Sequence, residues 1–265
     1  MTENTFGIIG AGNMGGAFAK AVAEGGKVKS VLVYDNDAEK TAALPCEQAD
    51  SAADVVRHAK YVLLSVKPQQ LDELLTDIKD SITTQTVLIS ICAGVSDTRI
   101  KNLTSPETKV VLVMPNTPAT LGAGASAYAA GTGVTKEELL FVKTLLDSCG
   151  VSEEIPIDKM KEIIAVNGSS PAFLYLFAKT VVDYADSVGI DREVALKLFA
   201  QTLVGSAKML TDSGKSPEEL ITQVSSPGGT TLAGLSALRQ HSFEETITAA
   251  CAACTSRAYA LGQSE

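Results

Sequence analysis

Histidine is almost missing from this chain of 265 residues: His58 and His241 are the only two. Neither has a carboxylate–histidine–cysteine neighbourhood, so no metal is assigned and no nucleophile–histidine triad is expected. Cysteine is sparse and odd in number. Cys46, Cys92, Cys149, Cys251 and Cys254 are scattered, which excludes a disulfide framework and fits a reducing compartment. Cys251 and Cys254 have CxxC spacing, but they lie in an alanine-rich helical pattern without a partner pair and read as small side chains on one helix face. No apolar run reaches transmembrane length. No basic region precedes the first apolar segment, so no signal peptide is expected and the cytoplasm is the expected location. Positive charge is also short. Lys and Arg number 22 against 31 Asp and Glu, and the net charge of −9 disfavours nucleic acid or an anionic membrane as partner. What is present is ordinary for a soluble globular protein, with 45% hydrophobic and 20% charged residues.

The length suits two domains. Thr5-Phe6-Gly7-Ile8-Ile9 reads as a buried strand. Strand patterns recur at Ser30–Tyr34, Tyr61–Val66, Thr86–Ile91 and Lys109–Met114, with helical patterns between, such as Gln69–Ser81 and Asp97–Leu103. This alternation predicts an α/β N-terminal domain built on a doubly wound parallel sheet of Rossmann type, over residues 1–158. Beyond residue 158 only helical patterns remain. Pro171 opens one that Gly189 closes, Asp191 caps the next, and Pro217 opens a short one. Two more run from Thr231 to about Arg239 and from Phe243 to Leu261. Residues 159–265 are therefore expected to form an all-α domain. Its small-residue faces, such as Ala249, Ala250, Ala252 and Ala253, suggest close helix contacts with a partner subunit.

The first strand runs into Gly10-Ala11-Gly12-Asn13-Met14-Gly15 and then an alanine-rich helix. In a dinucleotide-binding turn, Gly10 allows the tight bend, Gly12 lets the backbone approach a pyrophosphate, and Gly15 lets helix pack on strand. The second strand ends at Asp35, about 20 residues past the last glycine, where a carboxylate holds the adenosine ribose. A carboxylate there accepts from a 2′-hydroxyl and repels a 2′-phosphate, which argues for NADH over NADPH. A competing reading makes Asp35 the cap of the next helix, with Glu39 and Lys40 on its first turns. The ends of the later strands carry Val66-Lys67-Pro68, Cys92-Ala93-Gly94 and Pro115-Asn116-Thr117-Pro118. Turn chemistry explains part of each, and their shared sheet edge suits a cofactor-facing role.

Far along the chain stands Ser225-Ser226-Pro227-Gly228-Gly229-Thr230-Thr231. Proline fixes one dihedral and glycine frees the next, so backbone N–H groups and hydroxyls can converge on one small anion at a helix start. The alternative is a helix–helix connector with Ser/Thr caps.

These segments together resemble the pyrroline-5-carboxylate reductase family over essentially the full length. The resemblance rests on the glycine turn, Val66-Lys67-Pro68, Ala93-Gly94-Val95, Met114-Pro115-Asn116-Thr117-Pro118, Asn167-Gly168-Ser169-Ser170-Pro171-Ala172 and, most specifically, Ser226-Pro227-Gly228-Gly229-Thr230-Thr231. Asn167 stands where that family often has serine. Asp35 stands where it usually tolerates a 2′-phosphate. The resemblance implies reduction of the cyclic imine 1-pyrroline-5-carboxylate to L-proline, the last step of proline biosynthesis, by hydride from NADH or NADPH. It implies a homodimer or higher homo-oligomer. It places the cofactor on Gly10, Gly12, Asn13, Met14, Gly15, Asp35, Val66, Lys67, Pro68, Ala93, Gly94 and Asn116. It places the substrate carboxylate on Ser226, Gly228, Gly229, Thr230 and Thr231, with the Thr231 hydroxyl as the catalytic group facing the ring nitrogen. Two other classes share some features. A hydroxyacid dehydrogenase of the 3-hydroxyisobutyrate type needs a lysine base, for which Lys179 is the candidate. A nucleotide-sensing scaffold needs no chemistry and leaves the 226–231 turn unexplained.

Overall fold

The computed structural model describes residues 2–262. They fall into two compact units: the chain up to Ser169 together with the chain from Ala253 onward, and Ser170–Ala252.

In the first unit the strands are β1 (Thr2–Ile9), β2 (Ser30–Tyr34), β3 (Glu47–Gln48), β4 (Ala59–Leu64), β5 (Val87–Ser90), β6 (Lys109–Met114), β7 (Gly124–Ala130) and β8 (Gly150–Glu154). Among the described residues they form one sheet in the order β3-β2-β1-β4-β5-β6-β7-β8. The helices are α1 (Asn13–Glu24), α2 (Ala38–Ala42), α3 (Ala52–His58), α4 (Leu71–Ile78), α5 (Asp97–Leu103) and α6 (Lys136–Leu146). The strand order turns outward in both directions from β1 and β4, which makes their junction the switch point where open sheets bind ligands.

β2, β4, β5 and β6 are apolar over most of their length because both faces are covered. In β4, Tyr61 and Leu63 enter one core cluster with Phe6, Ile8, Phe18 and Val33. Val62 and Leu64 enter the other with Val55, Leu71, Leu75 and Ile100. The five expected strands are all present, although β4 stops at Leu64 rather than Val66. Three further strands carry weak signals. β7 is Gly124-Ala125-Ser126-Ala127-Tyr128-Ala129-Ala130, whose small side chains have low strand propensity, and its pairing with β6 supplies the missing preference. That pairing is antiparallel, so the sheet is parallel except at this one joint. β8 returns parallel to β7 and exposes Glu153 and Glu154.

In the second unit, α7 (Ser170–Ser187), α8 (Arg192–Asp212), α9 (Pro217–Gln223) and α10 (Thr230–Gln240) are followed by the start of α11 (Phe243–Gly262). Asp191 caps α8 by accepting from the Glu193 and Val194 N–H groups, and Gly189 takes φ +83° just past α7. The buried apolar cluster of this unit is small, comprising Val182, Ala185 and Ala195, with Phe177 edge-on to Phe199 at 5.6 Å. Large apolar side chains stay outside it: Tyr184 is 69% exposed, Leu176 65% and Leu198 64%. A helical layer with so little interior and so much apolar exterior is built to be covered.

One buried ionic cluster ties the N-terminal ends of the central strands to α6. Glu138 is 4% exposed and accepts from Lys109 Nζ at 2.8 Å, with Lys60 Nζ at 3.3 Å. Its second oxygen accepts from the Thr135 N–H at 3.0 Å in a capping box. Burial pushes the Glu138 carboxyl upward, but the Lys109 bond, the Thr135 N–H and Lys60 together hold it below its ordinary value. A depressed carboxyl contributes stability above the unfolded-state pKa and loses it as pH falls through the folded one. Glu138→Gln should therefore destabilise the protein by about 2–4 kcal/mol at neutral pH, because two half-buried ammonium groups lose their partner. Thermal melts of both proteins should show the gap closing as pH drops below about 4. A gap that is constant with pH would mean that charge is not the cause.

Candidate active site

β1 ends at Ile9, and the chain must leave the sheet at once because α1 begins at Asn13. Gly10 makes this bend at φ +99°, where a Cβ would lie 2.3 Å from the Ser65 carbonyl oxygen. Gly15 lets α1 sit on the bend, since a Cβ there would fall 1.9 Å from the Gly10 oxygen. Gly12 differs: nothing lies within 4 Å of its missing Cβ. It is also the N-cap of α1 and makes no side-chain cap bond, and the first turn carries no acid. The first N–H groups of α1 thus face open space under the positive end of the helix dipole. This fits a pyrophosphate.

The turn opens onto a cavity of about 510 Å³, whose walls include Gly10, Gly12, Asp35, Val66 and Lys67. Asp35 stands at the end of β2. Its Oδ2 accepts from the Ala11 N–H at 2.7 Å, and its Oδ1 accepts from the Asp37 N–H at 2.9 Å. Lys40 Nζ lies 3.4 Å from Oδ1. Partial burial raises the Asp35 carboxyl, and the two backbone donors with Lys40 outweigh this and hold it below its ordinary value. Asp35 is not the helix cap. Asp37 is: its carboxylate accepts from the Glu39 N–H at 3.2 Å at the start of α2. The capping role belongs two residues further on, because Asp35 turns back to the glycine bend.

The other expected site residues do not all meet at this cavity. Lys67 is the extended residue before a single 3₁₀ turn that Pro68 opens, next to the same cavity. Asn13 and Met14 are the first residues of α1. Ala93 and Gly94 form the turn after β5, and Gly94, at φ +80°, lines a second cavity of about 400 Å³ with Met114. The Asn116 side chain is used internally: Oδ1 accepts from the Ala125 N–H at 2.9 Å, and Nδ2 donates to the Asn167 carbonyl at 3.2 Å. Asn167 lies in a π-helical turn over Ile164–Gly168 and donates from Nδ2 to the Met114 and Ala125 carbonyls. Two amides thus staple β6, β7 and the π turn where the antiparallel pair splays. Serine is too short to reach both carbonyls in this way.

Polar cavity residues outside the expected set include Lys40, Ser51 and Gln70. They carry no fingerprint. The one available sign was their place at or near the start of the helical segment that follows a strand.

Ser226–Thr231 belongs to the helical unit. Gly228 takes φ +71°, and the Gly229 N–H donates to the Ser226 carbonyl at 2.9 Å. Gly229 caps α10 and offers no side-chain bond. Ser225 spends its hydroxyl on the Ile221 carbonyl at the end of α9. Thr230 and Thr231 are the first two residues of α10, both exposed, and among the described residues neither hydroxyl has a hydrogen-bond partner. Ser/Thr capping therefore does not account for them. Their hydroxyls and the first N–H groups of α10 remain available to an anion.

Comparison with known proteins matches both units. Residues 158–261 fit the pyrroline-5-carboxylate reductase dimerisation family, and residues 5–94 fit the family described as NADP oxidoreductase, coenzyme F420-dependent. Pyrroline-5-carboxylate reductase 3 of Rattus norvegicus is 33% identical, over 97% of this chain and 96% of its own. The pyrroline-5-carboxylate reductase of Methanosarcina acetivorans is 33% identical, over 99% and 100%. The crystal structure of a Plasmodium falciparum pyrroline carboxylate reductase with NADP bound superposes with a TM-score of 0.89 at 30% identity, covering 99% of both chains. With relatives at this identity spanning nearly its whole length, the chain belongs to the pyrroline-5-carboxylate reductase family.

Proposed function

We propose that this chain reduces the C=N bond of 1-pyrroline-5-carboxylate to give L-proline, using NADH or NADPH. The observation that carries the reading is the presence in one chain of two separate anion cradles. One is the open glycine turn with its cavity, which suits a dinucleotide. The other is the 226–231 turn with unspent hydroxyls, which suits a small carboxylate. The family membership of the chain supports the same assignment.

The residues divide the work. The α1 N-terminus with Gly10, Gly12, Asn13, Met14 and Gly15 holds the pyrophosphate, and Asp35 meets the adenosine ribose. Val66, Lys67, Pro68, Ala93 and Gly94 flank the rest of the cofactor, and Asn116 serves through the loop geometry it fixes. When bound, the reduced nicotinamide supplies the hydride that saturates the imine carbon. Ser226, Gly228, Gly229 and Thr230 hold the substrate carboxylate with hydroxyl and N–H donors. The Thr231 hydroxyl faces the ring nitrogen. A protonated imine is already electrophilic, so the chain needs no strong acid, and positioning supplies the catalysis. Lys179, the candidate base of a hydroxyacid dehydrogenase, is exposed and ion-paired with Asp183 at 2.5 Å. It is placed as a surface charge. Five free thiols suit a reducing cytoplasm.

The uncovered apolar faces of α7 and α8 support assembly as a homodimer or larger. Sedimentation at assay concentration should give an active species of at least two chains, and an active monomer would refute this.

Asp35, with Asp37 beside it, should make a 2′-phosphate costly by about 1–3 kcal/mol, so kcat/KM should favour NADH over NADPH by roughly ten- to a hundredfold. A ratio favouring NADPH would remove this role. Failure to oxidise either cofactor in the presence of the imine would overturn the assigned reaction itself.

Thr231→Ala should lower kcat by roughly ten- to a hundredfold, with Thr231→Ser retaining much of it, through loss of one transition-state hydrogen bond. The NADH dissociation constant should stay near that of the parent. A normal kcat in the alanine variant would take Thr231 out of the mechanism.

A further inference from the structure

The ordinary role of an acid at the end of β2 is to receive the ribose. The bonds of Asp35 describe a second one. A carboxylate offers about four acceptor positions. Three are taken within the chain: one by the Ala11 N–H at 2.7 Å, one by the Asp37 N–H at 2.9 Å and one by Lys40 Nζ at 3.4 Å. Only one is left for a ribose hydroxyl. The strongest of the three donors, Ala11, is the middle residue of the glycine turn itself. Its neighbour Gly10 already donates to the Tyr34 carbonyl at 2.8 Å. The Asp35 side chain therefore adds one more rung beyond the last backbone rung between β1 and β2. The rung closes 24 residues of chain onto the turn that must meet the pyrophosphate.

We infer that Asp35 is a positioning residue for the glycine turn, acting on pyrophosphate binding through the Ala11 N–H independently of any contact with the 2′-hydroxyl. The inference rests on the reading that this cavity takes the adenosine half of the cofactor. Its chemistry separates the two roles. An asparagine at this position keeps one acceptor oxygen. Its amide N–H₂ must then face a donor, either Ala11 or the Asp37–Lys40 pair. Even the orientation that keeps an oxygen on Ala11 exchanges a carboxylate acceptor for a neutral amide, so the charge-assisted bond to the turn is lost either way. A ribose-only role predicts that Asp35→Asn harms only cofactors that carry the hydroxyl. A positioning role predicts harm to all of them.

The test is direct binding of NADH and of 2′-deoxy-NADH, which lacks the adenosine 2′-hydroxyl, to the intact enzyme and its Asp35→Asn variant. The expected result is that the substitution weakens both cofactors, and 2′-deoxy-NADH by about tenfold, the effect of one lost charge-assisted hydrogen bond in the turn. A 2′-deoxy-NADH dissociation constant within about twofold of the parent overturns the inference and leaves Asp35 as a ribose ligand. A lowered melting temperature without a change in that constant does the same, since it marks a purely structural bond. Where the variant does not fold, amide exchange of the unmodified enzyme without cofactor decides. Slow exchange at Ala11 supports the clamp, and exchange at the rate of an open loop overturns it. Failure of the parent enzyme to bind either cofactor would overturn the cavity assignment as well, a result distinct from the others.

Discussion

A parallel sheet has to be covered on both faces, and that constraint governs the rest of this molecule. Covering both faces forces β4, β5 and β6, and β1 from Phe6 onward, to be mostly apolar, as the two clusters around Leu63 and Val62 show. Polar chemistry is thereby expelled from the strands to their ends. At the N-terminal ends it collects as the Lys60–Glu138–Lys109 group, which is structural. At the C-terminal ends it collects as the glycine bend, Asp35, Lys67 and the Asn116–Asn167 staple. The switch between β1 and β4 then leaves a gap that no side chain fills, and the cavity lies there. The site is a consequence of how the sheet is buried.

What could be read in advance follows from the range of the interaction involved. β1, β2 and β6 are runs whose apolar character is local, and α5 and α8 start at side chains that cap them within a few residues, Ser96 and Asp191. These need no knowledge of the fold. β7 does: Ala127, Ala129 and Ala130 have no strand preference until β6 offers a ladder. The same holds for the site. Gly10, Gly12 and Gly15 are legible because their reasons lie in one turn. The bond from Ala11 to Asp35 spans 24 residues, and the amide staple from Asn167 to Met114 spans 53. No local pattern encodes either. Asp35 was legible as an acid at the right spacing, but its choice of the turn over the next helix depended on three dimensions.

The helical unit obeys a different rule. Its helices were legible from Pro171, Gly189, Asp191 and Pro217, because terminators and caps act locally. Its interior was not, because only three apolar residues make a buried cluster within it. Helix formation and helix burial are separate events here, and the second needs surface from elsewhere. The 226–231 turn sits between two such helices, with its donors unspent at the start of α10.

The two rims of the sheet carry their own consequence. On one side the last strand, β3, is two residues long and shows Glu47 and Gln48 to the outside. On the other, β8 ends in the exposed pair Glu153 and Glu154. A second copy approaching edge to edge would find too short a ladder at one rim and a row of like charge at the other. Neither rim can template an extended intermolecular sheet. Self-association is left to the apolar helical faces, so the chain can join with copies of itself without exposing an edge from which a fibre could grow.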